Sequence, residues 1–310
     1  MKRIFLLASA VCLLATHAVK AQECEIPLMV VITDQVDELP EGADSYLENK
    51  MRQIAVSNGL AAGPEFTQFA ITPKIHLVEK EILPGPPRNF VYSMDVTLYI
   101  ADFWGEKVFA STTVNVKGVG SNETKAYTDG LKKINANNKD IQAFVSTAKD
   151  KIVDYYDNHY PDIIKKAQSM AGMKNYDEAL FQLMAVPSCS KGYDAALKAS
   201  AVVYQQYVDH LCDQNLNRAK MAWAAQQNAY GAEEAGEYLT YIYPDAKCYG
   251  EATKLYKEIK GKVLDDWKFV MKMYNDAVSL EKQRINAWKE VGVAYGRGQK
   301  PRTTNVFWVR

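Results

Sequence analysis

The stretch VNVKGVGSNETKAYTDGL, residues 114–131, places Gly118 and Gly120 between a strand-like run and a helix-like run. Glycines at such a junction can cradle phosphate, because free backbone N–H groups and a helix N-terminus both favour an anion. The spacing completes neither known fingerprint. A dinucleotide loop, G-x-G-x-x-G, needs glycine where Glu123 stands, and no Gly-Lys-Ser/Thr follows four spacer residues. Glu123 would repel a phosphate and instead complements the helix dipole, with Ser121 or Asn122 as N-cap. The stretch reads as a strand-to-helix corner, which removes the best argument for a nucleotide-using enzyme.

Other reactive side chains are dispersed. No G-x-S-x-G nucleophile elbow is present. Asp34, Asp95 and Asp102 fall on or beside strand-like runs, and no spacing selects two of them as an acid–base pair, so they are expected to be solvated edge carboxylates. His76, His159 and His210 form no ligand set, and no CxxC or Cys/His cluster suggests zinc. Neither a cofactor nor a metal is expected. The 19 tyrosines are the richer signal. Most lie at helical spacing and read as core with hydroxyls at the rim. Tyr238, Tyr241 and Tyr243, around TYIYP, are candidate interaction residues, since a helix cannot turn all of these apolar groups to one side. The tail GRGQKPRTTNVFWVR (296–310) holds four basic residues and no acid, and its Phe307 and Trp308 are costly to leave in water. They join the candidate surface.

The N-terminus bounds the setting. Lys2 and Arg3 precede an apolar run too short to span a bilayer with ease, and Val19 and Ala21 occupy the −3 and −1 positions of a cleavage site. Residues 1–21 therefore read as a signal peptide of a secreted or periplasmic protein. Their loss takes Lys2, Arg3 and Lys20 and no acid, moving 37 basic and 37 acidic residues to 34 and 37, a net charge of −3. That balance argues against general nucleic-acid binding. No later stretch approaches 18 apolar residues, so no integral membrane segment is expected in the mature chain.

The elements that must position these groups divide the chain. Residues 26–34 form a buried-type strand, and Leu47, Met51, Ile54 and Ala55 mark a helix ending at Asn58–Gly59. Three long extended runs follow, at 68–83, 89–102 and 108–120, the first two separated by PGPPR. Helices at 121–134 and 140–160 complete a β-α-β-β-β-α-α order. This predicts an α+β sandwich domain, residues 22–160, with helices on one face of a mainly antiparallel sheet. The remainder, residues 161–295, carries no strand signal. A helical hairpin over 163–187, a long helix over 192–227, a short one over 231–244 and a second long one over 249–295 predict an all-α domain. DEALFQLMAV (177–186) and EEAGEYLTYI (233–242) align at an offset of 56, each followed by a proline and then a cysteine. Stacked helical hairpins of this kind bury a shared face.

The repeat selects one disulfide. The chain reverses after the helix carrying Cys212 and descends by a similar rise, which brings Cys248 to its level. Cys189 and Cys212 are separated by most of a helix and cannot join. Cys212–Cys248 is the expected bridge. Cys24 and Cys189 remain, either as a second bridge stapling the two domains or as free thiols.

Two resemblances extend this reading. NYDEAL (175–180), with Ala167 before it and Pro187 after, resembles the second-helix start of a tetratricopeptide repeat, which implies tetratricopeptide-like hairpins acting as a protein-binding scaffold. FAITPKI, the pair FVYSMDVTLYIAD and EKVFASTTVNVKGVG, and KAYTDGLKKI resemble the α+β module shared by the amino-terminal domain of TolB and the curli-secretion protein CsgG. That resemblance implies an envelope protein acting by assembly or partner binding, with no catalytic residues to carry over. The leading expectation is a non-catalytic scaffold engaging a partner protein or envelope polymer. An envelope hydrolase with an unadvertised carboxylate site and an oligomeric structural subunit are the alternatives. Intact-mass measurement of the exported protein should give a chain beginning at Gln22; retention of residues 1–21 would contradict cleavage after Ala21.

Overall fold

Apolar residues alternate along three long runs and recur at helical spacing elsewhere, and the backbone follows both periods. The computed structural model describes residues 24, 26–33, 39–62, 67–105, 107–263, 268, 269, 271 and 280–298, with the backbone alone at 61, 62 and 280–283. The elements are β1 (Pro27–Val30), α1 (Ala43–Ser57), β2 (Ala61–Ala62), β3 (Phe69–Leu83), β4 (Asn89–Asp102), β5 (Lys107–Gly120), α2 (Glu123–Lys132) and α3 (Lys139–Gly172). An all-helical part follows: α4 (Tyr176–Met184), α5 (Tyr193–Ala225), α6 (Ala229–Leu239), α7 (Tyr249–Val263) and α8 (Leu280–Gly298).

The sheet order is β2-β1-β3-β4-β5, so β5 is an edge. Strand β1 runs parallel to β2 and β3, whereas β3, β4 and β5 are antiparallel. The two-residue β2 is an addition to the expected order; Ala-Ala carries no strand signal. Ile75 pairs with Val96 and Val96 with Val114, and this parity faces the helices. The other parity is polar: Thr97 bonds Thr113 between hydroxyls at 2.9 Å, and Asn115 donates to Asp95 at 2.5 Å. One buried and one solvated face is the usual arrangement of an antiparallel sheet. The register slips at Val78 on β3 and at Phe109 on β5, one extra residue each, which adds local twist.

Gly118 and Gly120 have a steric role. A Cβ on Gly118 would stand 1.9 Å from the Ala126 carbonyl oxygen, and one on Gly120 would stand 2.3 Å from the Ala126 nitrogen. Helix α2 thus lies directly on the β5 backbone. Asn122 caps it by accepting the Lys125 N–H at 2.8 Å, and Glu123 pairs with Lys80 at 2.7 Å. The corner is a helix–strand contact made close by absent side chains.

Two helix boundaries differ from the sequence reading. The helices expected at 140–160 and from 163 are one helix, α3, which continues through Pro161 and across the expected domain boundary at 160. Proline inside a helix leaves one i−4 carbonyl, that of Asp157, without its donor, but packing on both sides outweighs this local cost. Ile141, Phe144, Val145, Ala148 and Ile152 are buried on the sheet side, and Ala167, Met170 and Ala171 on the helical side. The helix expected over 249–295 is two helices. Lys268, Phe269 and Met271 lie in neither, and α8 starts at Leu280. Helix α8 also takes in the first three residues assigned to the tail. The signal peptide and residues 299–310, with Phe307 and Trp308, lie outside the described residues, as does Asp34.

Backbone contact at Gly118 predicts that Gly118→Val is strongly destabilising, by roughly 2–4 kcal/mol, because α2 must shift from the sheet. Urea unfolding of the mature chain would measure it. An unchanged midpoint would contradict so close an approach.

Candidate functional site: a cleft between the sheet and the helices

The junction of the two parts encloses a cleft of about 320 Å³. Pro27, Thr67, Gln68 and Phe69 line it from the sheet. Helix α4 and the turn after it supply Phe181 and residues 183–188, α5 supplies Tyr193, Ala196, Leu197 and Ser200, and α8 supplies Trp288, Lys289 and Val293. The α4 wall is amphipathic, with Ala179, Leu180, Phe181 and Leu183 buried. Gly292 lets α8 lie against it: a Cβ there would stand 2.4 Å from the Met184 sulfur. An aromatic chain ties the wall to the sheet, with Trp104 edge-on to Phe181 at 5.9 Å and Phe181 next to Tyr295 at 5.6 Å.

The polar groups of the cleft are few. Ser200 spends its hydroxyl on the Ala196 carbonyl at 2.9 Å. Gln68 is 7% exposed and Trp288 5% exposed, yet the Gln68 Oε1 acceptor and the Trp288 Nε1 donor have no hydrogen-bond partner. Each unpaired buried group costs roughly 1–3 kcal/mol, and such groups are uncommon. Lys289, exposed and without a partner among the described residues, is the single charged side chain in the lining.

Behind Gln68 lies Asp102, which the sequence reading treated as solvated. It is buried. Its Oδ1 accepts from Gln68 Nε2 at 2.5 Å, Trp104 N–H at 3.1 Å and Gly105 N–H at 2.7 Å. These bonds build the β4–β5 turn, and Trp104 Nε1 closes it by donating to the Thr67 carbonyl at 3.0 Å. Burial raises the Asp102 carboxyl above its ordinary value; the three donors and the nearby Lys107 oppose that without cancelling it.

The other candidate residues are scattered. Cys212 and Cys248 are joined, with Cα atoms 5.9 Å apart, and Cys24 and Cys189 are joined, with Cα atoms 5.0 Å apart. The second bridge ties the strand entry at Pro27 to the turn that lines the cleft. Asp157 of α3 holds the same turn by accepting Ser190 Oγ at 2.8 Å and Lys191 N–H at 2.7 Å. Of the tyrosine trio, Tyr241 is 61% exposed, while Tyr238 is half-buried with the Arg218 guanidinium 5.9 Å from its ring centre, and Tyr243 is half-buried against the core. They do not form a shared exposed face. Asp95 and Asp102 stand seven residues apart on β4, about 24 Å, too far to act together. His76 is exposed, His159 stacks on Tyr155 at 4.4 Å, and His210 lies by Tyr176 at 5.6 Å. Sequence reasoning missed Gln68 and Trp288, because nothing local marks a residue that becomes a cleft wall through tertiary packing.

No family model and no curated protein matches the sequence. Two solved structures are similar to part of it. A minor lipoprotein from Acinetobacter baumannii is 15% identical over 41% of this chain and 91% of its own, with a TM-score of 0.22. A PelC dodecamer from Paraburkholderia phytofirmans is 17% identical over 40% of this chain and 87% of its own, with a TM-score of 0.26.

The raised Asp102 value sets a sign for pH dependence. A carboxyl with a higher pKa folded than unfolded favours the fold while protonated, and this contribution is lost as pH rises through the raised value. Asp102→Asn removes the titration. The stability difference, native minus variant, should therefore fall as pH rises from below the ordinary carboxyl value of 3.8 in urea unfolding; a difference that rises would contradict the direction.

Proposed function

We propose that the protein is a secreted or periplasmic, non-catalytic binding protein of the cell envelope. It holds an apolar group of a partner protein or envelope polymer in the cleft between sheet and helices. One observation carries the reading: a largely apolar cleft at a doubly tethered junction. Its volume is at the lower end of the roughly 300–1,000 Å³ of small-ligand pockets, so it suits one apolar group. Lys289 favours an occupant with an anionic end.

The setting is supported independently. Two disulfides fit an oxidising compartment, and no described helix is long and apolar enough to cross a membrane. The lining described above contains no carboxylate and no histidine, so it offers no acid–base pair for the hydrolase alternative.

The test is in-cell photo-crosslinking from a benzophenone side chain installed in place of Val293 at the cleft, with Val56, exposed on α1, as control. An adduct from position 293 that is absent at position 56, and absent when Leu197→Trp fills the cleft, supports the reading. Equal adducts from both positions, or none, would count against it. Adducts at twice the mass of the chain itself would favour an oligomeric structural subunit.

A further inference from the structure

The edge strand β5 is closed at one end and open in the middle. Near its C-terminal end α2 covers the outward groups: Asp129 Oδ2 accepts the Val119 N–H at 3.0 Å, and Lys133 Nζ donates to the Lys117 carbonyl at 2.6 Å. In an antiparallel strand, both backbone groups of alternate residues point to the same side. Since Lys117 and Val119 point outward, so do Asn115, Thr113 and Ser111. Among the described residues, no hydrogen bond reaches the outward backbone groups of these three. An open edge of this kind is ordinarily blunted, as the fold has done at 117–119.

Beside this open stretch lies a groove of about 600 Å³ between β5 and α3. Phe109, Ala110 and Thr112 form one wall, and Phe144 and Thr147 face them from the helix. The Phe109 ring is 6.0 Å from that of Tyr155, and Lys107 Nζ is 3.5 Å from the Tyr155 ring centre. Strand β5 thus starts at the middle of α3 and runs toward its N-terminus. Lys107 and Lys151 mark one end of the groove and Asp140 the other. The carboxylate of Asp140 and the ammonium of Lys151 have no partner among the described residues.

We propose that this groove takes an extended acidic peptide of a partner protein, added antiparallel to β5 as a sixth strand. Ser111, Thr113 and Asn115 supply up to six backbone hydrogen bonds, and alternate side chains of the peptide enter the groove over Phe144. The direction follows from charge. An antiparallel strand begins near Asp140 and ends near Lys151 and Lys107, so its acids belong at its C-terminal end. Charge also disfavours the nearest competitors. Strand β5 carries two lysines and no carboxylate, so the end of a second copy's β5 that reached Lys107 and Lys151 would bring Lys117 and no acid. The tail of this chain is basic as well. The surface is separate from the cleft.

The test uses the mature chain and a fluorescein-labelled peptide, Thr-Val-Ser-Val-Thr-Val-Asp-Asp, against the same peptide ending in two lysines. The acidic peptide should bind at least about tenfold more tightly by anisotropy and should slow hydrogen exchange at Ser111, Thr113 and Asn115. Thr113→Pro removes one outward donor at an edge position where proline is tolerated, and should weaken binding about tenfold or more. Joint Lys107→Glu and Lys151→Glu leaves the backbone edge intact and should reverse the preference toward the lysine peptide, while Val293→Trp at the cleft should leave binding unchanged. Binding weaker than about 1 mM, protection that falls at the cleft, or a preference untouched by charge reversal would overturn the proposal. So would a dimer in sedimentation that Thr113→Pro returns to monomer, since a second copy would then hold the edge.

Discussion

Helix α3 buries two different apolar stretches along one axis, and the rest of the molecule is arranged to allow this. Its 34 residues extend about 51 Å, longer than either core alone could use. The first half lies on the sheet and the second half among α4 and α5. Tyr156, 3% exposed, sits at the changeover with its ring edge-on to Phe69 at 5.8 Å. A continuous helix between two cores fixes their relative placement more firmly than a flexible linker does. The Cys24–Cys189 bridge, spanning 165 residues, and the Asp157 bonds to the turn at Ser190 add further ties at the same junction. By chain-entropy reasoning the two bridges contribute on the order of 4 and 5 kcal/mol, the larger from the longer loop.

Close backbone approach is the second constraint, and it explains where the edge is shielded. Helix α2 reaches the end of β5 only because Gly118 and Gly120 carry no side chains. Having reached it, the helix supplies Asp129 and its C-cap residue Lys133 to the edge. Helix α3 stands off by the width of Phe109 and Phe144, which leaves a groove and an uncovered edge. The Phe109 bulge lies at the start of that groove. One strand therefore presents a sealed segment and an open one, decided by side-chain size at a handful of positions.

Much of this architecture is legible in the sequence, and what is not has physical causes. The three long strands and the faces of α1, α2 and α5 follow from apolar period, a short-range property. The phosphate reading of Gly118 and Gly120 fails on spacing alone, but their steric role appears only once α2 is in place. Pro161 suggests a boundary because local rules make proline a helix breaker. Burial of Ile152 on one side and Ala167 on the other overrides it. Asp102 looks like an edge carboxylate until the turn of residues 102–105 closes over it, and nothing near it in sequence announces Gln68, 34 residues away. The cleft is the least legible part, since its walls come from five stretches of sequence that meet only in the folded chain.

The link between Asp102 and the cleft also orients the cleft's polar group. A carboxylate can only accept, so the Gln68 amide must turn its NH₂ toward Asp102, and its carbonyl oxygen becomes the unpaired acceptor. Had a donor stood at position 102, the amide would present its NH₂ instead and the cleft would ask for the opposite ligand group. The buried carboxylate thus does two jobs with one charge. It gathers the backbone N–H groups of the β4–β5 turn, and it sets which end of Gln68 is left unsatisfied. The unpaired Trp288 donor belongs to the same lining, so an occupant that reached both atoms would carry an acceptor and a donor on an apolar frame. A peptide group flanked by apolar side chains meets that description, and so does a hydroxyl-bearing ring of an envelope polymer.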